Sequence, residues 1–320
     1  MQNKILRLFS LLLLITVLLV SGCGDSNTVD LKYRRAAVLH GEGTSGAIDA
    51  IDEAEDDFPD INAAQAFVYD TELAKFVFLK GKEKILYPAS VTKLLTILTA
   101  LENMAPDELV TPGDELSLLD PQSSIAFIKT HHTLSVEMLI EAMLLPSGGD
   151  AAYALASASG RKLAGNGATA EEAVTAFIKE MNEYARKIGM CGSNFTSPDG
   201  FYDPENYSTL EDMALLSIKA YENELIMKYA SLPSDDVVYA SGHSNRWINT
   251  NLMLHEESEY HSPYVKGLKT GTLEGNSCLV SVIEIGEKTY IAGVFSEKEK
   301  TMRFEDMLKI VTYYEKENGK

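Results

Sequence analysis

The chain has 320 residues, 45% hydrophobic and 23% charged, with a formal net charge of −19. This is globular composition, and the length is ample for a buried core. The acidic excess excludes a surface built for nucleic acid or anionic headgroups, although charges inside a cleft can oppose the global sign.

Residues 1–22 stand apart. Lys4 and Arg7 make a positive start, and 8–20 is an apolar run interrupted only by Ser10 and Thr16. The run is short for a membrane span and reads as a signal-peptide core. It ends in Val20-Ser21-Gly22-Cys23, small residues before a cysteine, which resembles a bacterial lipoprotein signal with Cys23 as the lipidated new N-terminus. Two or more acyl chains hold a protein stably on a membrane, whereas one is marginal. The expected location is therefore extracytoplasmic and lipid-anchored. Loss of residues 1–22 removes two basic residues and no acidic one, so 26 basic residues face 47 acidic ones and the net charge becomes −21. Residues 23–60 read as a tether, because seven of the twelve residues in 49–60 are acidic and such runs are usually solvated.

From residue 61 the texture changes. Segments 66–69 and 76–79 read as two strands joined by a turn. Tyr87-Pro88-Ala89-Ser90 then precedes a helical run with Leu94, Leu95, Ile97, Leu98 and Leu101; Pro88 and Ser90 are residues that start helices. Residues 105–235 read as mostly helical. Segment 136–145 is amphipathic and stops at Pro146, 150–162 is Ala-rich, and 171–188 carries Val174, Phe177, Ile178, Met181 and Ala185 at helical spacing. Ser208-Thr209-Leu210-Glu211 matches a capping box, and 197–200 reads as a turn. Strands return at 267–272, 277–285 and 289–295, followed by a helix over 302–314. This order predicts an α/β part (61–104 and 236–320) whose sheet is completed by both ends of the chain. A helical part (105–235) is inserted within it.

Ser90-Val91-Thr92-Lys93 carries the chemistry. A serine and a lysine three residues apart on a helix share one face, so a nucleophile has a base beside it. A second such pair, Ser159 and Lys162, falls late in the Ala-rich helix, where serine is a tolerated small residue. Lys269-Thr270-Gly271 lies downstream of the first pair. Cys191 and Cys278 can pair in an oxidising compartment, or Cys278, in an apolar run, can be a buried free thiol. The six histidines show no zinc-ligand spacing, so no metal and no cofactor are expected.

In these motifs the chain resembles the serine D-Ala-D-Ala carboxypeptidases of peptidase family S11, the low-molecular-mass penicillin-binding proteins. The motifs of that set are S-x-x-K, S-x-N and K-T-G. Here they are Ser90 to Lys93, Ser147-Gly148-Gly149 and Lys269 to Gly271. The similarity extends through Met181-Asn182, Ser197 to Gly200, Tyr207-Ser208-Thr209 and Asp212, and covers roughly 61–295. It implies a β-lactamase-like α/β (α+β) fold, with an antiparallel sheet flanked by helices plus an all-helical subdomain.

The resemblance also implies roles. Ser90 attacks, Lys93 is its base, and Ser147 relays a proton to the leaving amine. Lys269, Thr270, Gly271 and Thr272 bind the substrate carboxylate, and the N–H groups of Ser90 and Thr272 form an oxyanion hole. Lys93 can serve if burial and a second cation depress it, and Lys269 is the candidate for that cation. The implied partners are peptidoglycan stem peptides and β-lactam antibiotics, with the membrane reached through the N-terminal lipid. One departure stands out: Gly149 occupies the family's Asn position and offers no side-chain donor or acceptor. The alternatives are a D,D-endopeptidase and a degenerate, non-hydrolysing penicillin- or peptidoglycan-binding lipoprotein. A β-lactamase ranks lower, because no E-x-x-L-N stretch is found.

Overall fold

β1 (Gln65–Asp70) and β2 (Lys75–Lys80) form as a hairpin, and every residue of β1 is buried. A strand covered on both faces cannot alternate apolar and polar, and the sheet explains the covering. The computed structural model describes residues 58–318. The expected signal segment, Cys23 and the tether up to residue 57 lie outside the described residues. Phe58 already packs on the domain, its ring stacked 3.9 Å from that of Phe78. Among the described residues no helix is long and apolar enough to cross a membrane.

The helices and remaining strands follow in chain order. A 3-10 turn (Ala89–Val91) leads into α1 (Thr92–Leu101). β3 (Leu109–Val110) and β4 (Leu134–Ser135) pair as a two-residue ladder. The helical part holds α2 (Val136–Leu144), α3 (Gly149–Ala164), α4 (Ala170–Lys187), α5 (Leu210–Tyr221) and α6 (Glu224–Ala230). A hairpin of β5 (Ser234–Val238) and β6 (Ser244–Ile248) precedes β7 (Val265–Leu273), β8 (Asn276–Ile285), β9 (Lys288–Glu297) and α7 (Met302–Asn318).

The main sheet is antiparallel, in the order β2-β1-β9-β8-β7. Both ends of the described chain build it, as expected. Alternate residues point to opposite faces. Phe67, Val280, Val282, Ile291 and Phe295 join the core shared with α1 to α6. Val68, Leu279, Ile283, Ala292 and Val294 join a second core under α7. α1 runs through the larger core, with residues 92–100 all buried. A helix buried all round is a core element rather than an amphipathic one.

Three expectations need correction. Residues 105–135 are not helical apart from a 3-10 turn, Asp114–Leu118. Pro106, Pro112 and Pro121 break the segment, and the Asp150 carboxylate takes the N–H groups of Ala126 and Ile128 that a helix would have used. The expected capping box is displaced by one residue. Thr209, not Ser208, caps α5 by accepting from Asp212 N, because Ser208 is held in an extended bridge to Leu86. The reciprocal box sits instead at Thr169 and Glu172, at the start of α4. Finally, the β5–β6 hairpin has no counterpart among the expected strands. Its Trp247 is buried and donates from Nε1 to Ala126 O.

Candidate active site

Ser90 lies in the turn entering α1, whose N-cap is Val91, so its hydroxyl is not used as a cap. Ala89, just before it, has φ +49°, a left-handed conformation that costs a non-glycine residue about 1–3 kcal/mol. Neighbours hold it there. A Cβ at Gly200 would stand 1.9 Å from Ala89 O, and one at Gly271 would stand 2.9 Å from Ala89 Cβ. Only glycine permits two such approaches. Asn276 donates to Tyr87 O (3.1 Å) and Cys278 Sγ to Pro88 O (3.4 Å), which ties β8 to the same turn.

Lys93 is 1% exposed. Its Nζ donates to Ser90 Oγ at 2.9 Å and to the Asp199 carbonyl at 2.8 Å. The other serine–lysine spacing is structural: Ser159 Oγ donates to Asn103 Oδ1, and Lys162 reaches Asn103 O and Glu108.

A second serine–lysine contact is made across the fold. Ser147, between α2 and α3, has φ +63° and accepts from Lys269 Nζ of β7 at 2.9 Å. It does not cap α3, whose N-cap is Gly148. Lys269 also donates to Thr270 O at 3.1 Å, and Thr270 Oγ1 lies 2.6 Å from Thr250 Oγ1. From α7, Arg303 donates to Gly271 O at 2.7 Å and to Thr272 Oγ1 at 2.8 Å. The strand is thus held at its centre by a buried lysine and near its end by a buried arginine.

Burial pulls the Lys93 ammonium below a lysine's ordinary 10.5, while the nearby Asp199 and Asp150 carboxylates hold it up. Burial pulls Lys269 well below 10.5, and here the neighbours Lys93 and Arg303 add to the fall. Burial, one of the two expected causes, depresses Lys93, and the effect of neighbouring cations is seen at Lys269. Burial also pushes the free Cys278 thiol up to about 12. Cys278 is a free buried thiol, so of the two alternatives a Cys191–Cys278 disulfide is not the one found.

A cleft of about 790 Å³ opens over Ser90 and Lys93, walled by residues 122–124, 199–202 and 272–277, with Lys298 and Lys300 at its rim. The D-alanyl-D-alanine carboxypeptidase family model, peptidase S11, matches residues 52–299. The chain belongs to that family of serine peptidases. It is 29% identical over 300 residues to the D-alanyl-D-alanine carboxypeptidase of Streptomyces sp. K15, covering 88% of this chain and 99% of that one. It is 27% identical to D-alanyl-D-alanine carboxypeptidase DacF of Bacillus subtilis, covering 77% of this chain but only 61% of that one. Among solved structures, the Streptomyces K15 DD-transpeptidase superposes with a TM-score of 0.71 at 28% identity, covering 80% of this chain and 97% of that one. The ampicillin-bound penicillin-binding protein D2 of Listeria monocytogenes gives 0.64 at 27% identity, covering 79% and 98%.

Within this S11 frame the expected residues divide. Ser90, Lys93 and Thr272 line the cleft, while Ser147, Lys269, Thr270 and Gly271 are buried residues next to them in the fold. Two further residues belong to the site. Asp199 sits in a stretch that carries the resemblance and reads as a turn but has no expected role, and Arg303 carries no spacing signal at all. Asp199 is central to the wall: its carboxylate accepts from Ser123 Oγ at 2.7 Å, Ser197 Oγ at 3.0 Å and Phe201 N at 3.2 Å.

Asp199 also bears on the Gly149 departure. A Cβ at Gly149 would stand 3.0 Å from Asp199 Oδ2, 2.7 Å from Leu119 Cδ1 and 3.1 Å from Ser124 O. The space a side chain would enter is already filled, and Gly149 N donates to Ser124 O at 2.7 Å.

Proposed function

We propose that the chain is a serine D-Ala-D-Ala carboxypeptidase that removes the terminal D-Ala from peptidoglycan stem peptides through an acyl-enzyme on Ser90, and that β-lactams acylate the same hydroxyl. The observation that carries the reading is the 2.9 Å contact between Ser90 Oγ and a buried Lys93 Nζ at the floor of the cleft. A free hydroxyl is a poor nucleophile and needs a base, and burial favours the neutral amine. Lys93 takes the Ser90 proton as Oγ attacks the carbonyl carbon of the penultimate D-Ala. The N–H groups of Ser90 and Thr272 receive the developing oxyanion; one such donor is worth about 10²–10³ in rate. Ser147, paired with Lys269, passes a proton to the departing amine nitrogen, and water then hydrolyses the ester.

The terminal carboxylate is met by Thr270 and Thr272, with Arg303 orienting the Thr272 hydroxyl. Lys298 and Lys300 add positive charge at the rim, opposite in sign to the chain as a whole. The same reading includes a signal segment over 1–22 and lipid attachment at Cys23, which would hold the domain outside the cell membrane. Its support is the Val20-Ser21-Gly22-Cys23 context.

The test is D-alanine release from a diacetyl-Lys-D-Ala-D-Ala peptide by the chain and by Ser90→Ala. Release that vanishes in the variant supports the carboxypeptidase. Peptide binding without release by either form would favour the non-hydrolysing reading that Gly149 motivates.

A further inference from the structure

The histidines show no ligand spacing along the chain, yet the fold gathers three of them. His131, His132 and His243 each bring a ring nitrogen within 4.8 Å of the others. His131 and His132 end the turn ahead of β4, and His243 sits at the tip of the β5–β6 hairpin. Ring centroids are 4.6 Å apart for His131–His132, 5.0 Å for His131–His243 and 4.6 Å for His132–His243. His132 is buried against Tyr239, while the other two are exposed.

We propose that His131, His132 and His243 form a binding site for a divalent transition-metal ion of the zinc type. Three imidazoles suit zinc and its neighbours among the first-row metals, and three protein ligands leave one coordination position for water. A supporting partner is in place at His243. Ser241 Oγ lies 3.2 Å from its Nδ1 and already accepts from Thr133 N at 3.1 Å. A hydroxyl oxygen has two lone pairs, so it can also accept from Nδ1–H, leaving Nε2 for the metal. At His132, Nδ1 accepts from Lys129 N at 3.2 Å. Metal binding exchanges that hydrogen bond for a metal–nitrogen bond. Zinc–nitrogen bonds of about 2.0–2.1 Å set ligand nitrogens about 3.3 Å apart, so the cluster contracts on binding, by rotation of the exposed His131 and His243 rings.

The ion would join two separate segments of the chain. The hairpin already donates from Asn245 Nδ2 and Trp247 Nε1 to Ala126 O. The segment it holds gives Ala126 N and Ile128 N to Asp150, and its residues 122–124 wall the cleft. A metal at the histidines would clamp the same junction from its other end. Its role is to stiffen the cleft wall, with no part in acyl transfer.

The test uses the full chain, purified in detergent without affinity-tag histidines and stripped with a chelator. Zn²⁺ is added by calorimetric titration and Co²⁺ by visible absorption. The expected result is one ion per chain, the intense bands of four-coordinate Co²⁺, and a melting temperature that rises with Zn²⁺. His131→Gln and His243→Gln, both on exposed side chains, should each weaken binding about tenfold or more, while His261→Gln leaves it unchanged. No saturable binding, or binding unaltered in the His131→Gln/His243→Gln double variant with its fold checked by circular dichroism, would overturn the site.

Discussion

The two serine–lysine contacts have the same length, 2.9 Å, and opposite origins. Ser90 and Lys93 meet because one helical turn puts them on one face. Ser147 and Lys269 meet across 122 residues, because α2 ends where β7 passes. The local pair faces the cleft and is flanked by the anions Asp199 and Asp150. The distant pair is buried and is flanked by the basic side chains of Lys93 and Arg303. Equal geometry therefore does not mean equal chemistry. The first pair lines the cleft, whereas the second links the turn between α2 and α3 to β7.

Substitutions should separate the pairs in order of size. Ser90→Ala should lose about six decades of peptide turnover, as removal of a serine nucleophile does in other serine peptidases. Ser147→Ala should cost less, about 10²–10⁴-fold, and mainly in acylation, because it removes a proton transfer but not the nucleophile; single-turnover kinetics would show it. A Ser147 loss as large as that of Ser90 would break the distinction. Arg303→Leu strips donors from Gly271 O and Thr272 Oγ1. It should cost about 1.5–3 kcal/mol, roughly 10–150-fold in kcat/KM. Gly149→Asn should fail to raise activity and should lower stability by about 1–3 kcal/mol in urea unfolding, because its Cβ meets Leu119, Asp199 and Ser124.

The smallest effect is in pH. Activity needs the neutral Lys93 amine, so kcat/KM should rise with pH along a limb set by a lysine below 10.5. Asp199 favours the charged form. Asp199→Asn should therefore move that limb to lower pH, and a shift upward would contradict the assignment.

What was legible along the chain follows the same division. The S-x-x-K pair, the hairpins of the main sheet and α2, α3 and α4 depend on neighbours in sequence, through spacing, turns and periodicity. Arg303 on Gly271 O, Asp199 against the Gly149 space and the three histidines depend on tertiary approach. No pattern in their own segments announces them. The non-helical stretch over 105–135 is of both kinds: Pro106, Pro112 and Pro121 are local breakers, while the N–H groups of Ala126 and Ile128 go to Asp150, beyond α2. Ser208 shows the limit even for a local motif: its bridge to Leu86 moved the cap to Thr209.

The most direct test of the central claim is to incubate the chain with benzylpenicillin, digest it and locate the adduct by mass spectrometry. The expected result is one penicilloyl group, on the peptide that carries Ser90, and none in Ser90→Ala. An adduct on Ser147 or elsewhere, or unchanged labelling of Ser90→Ala, would contradict it.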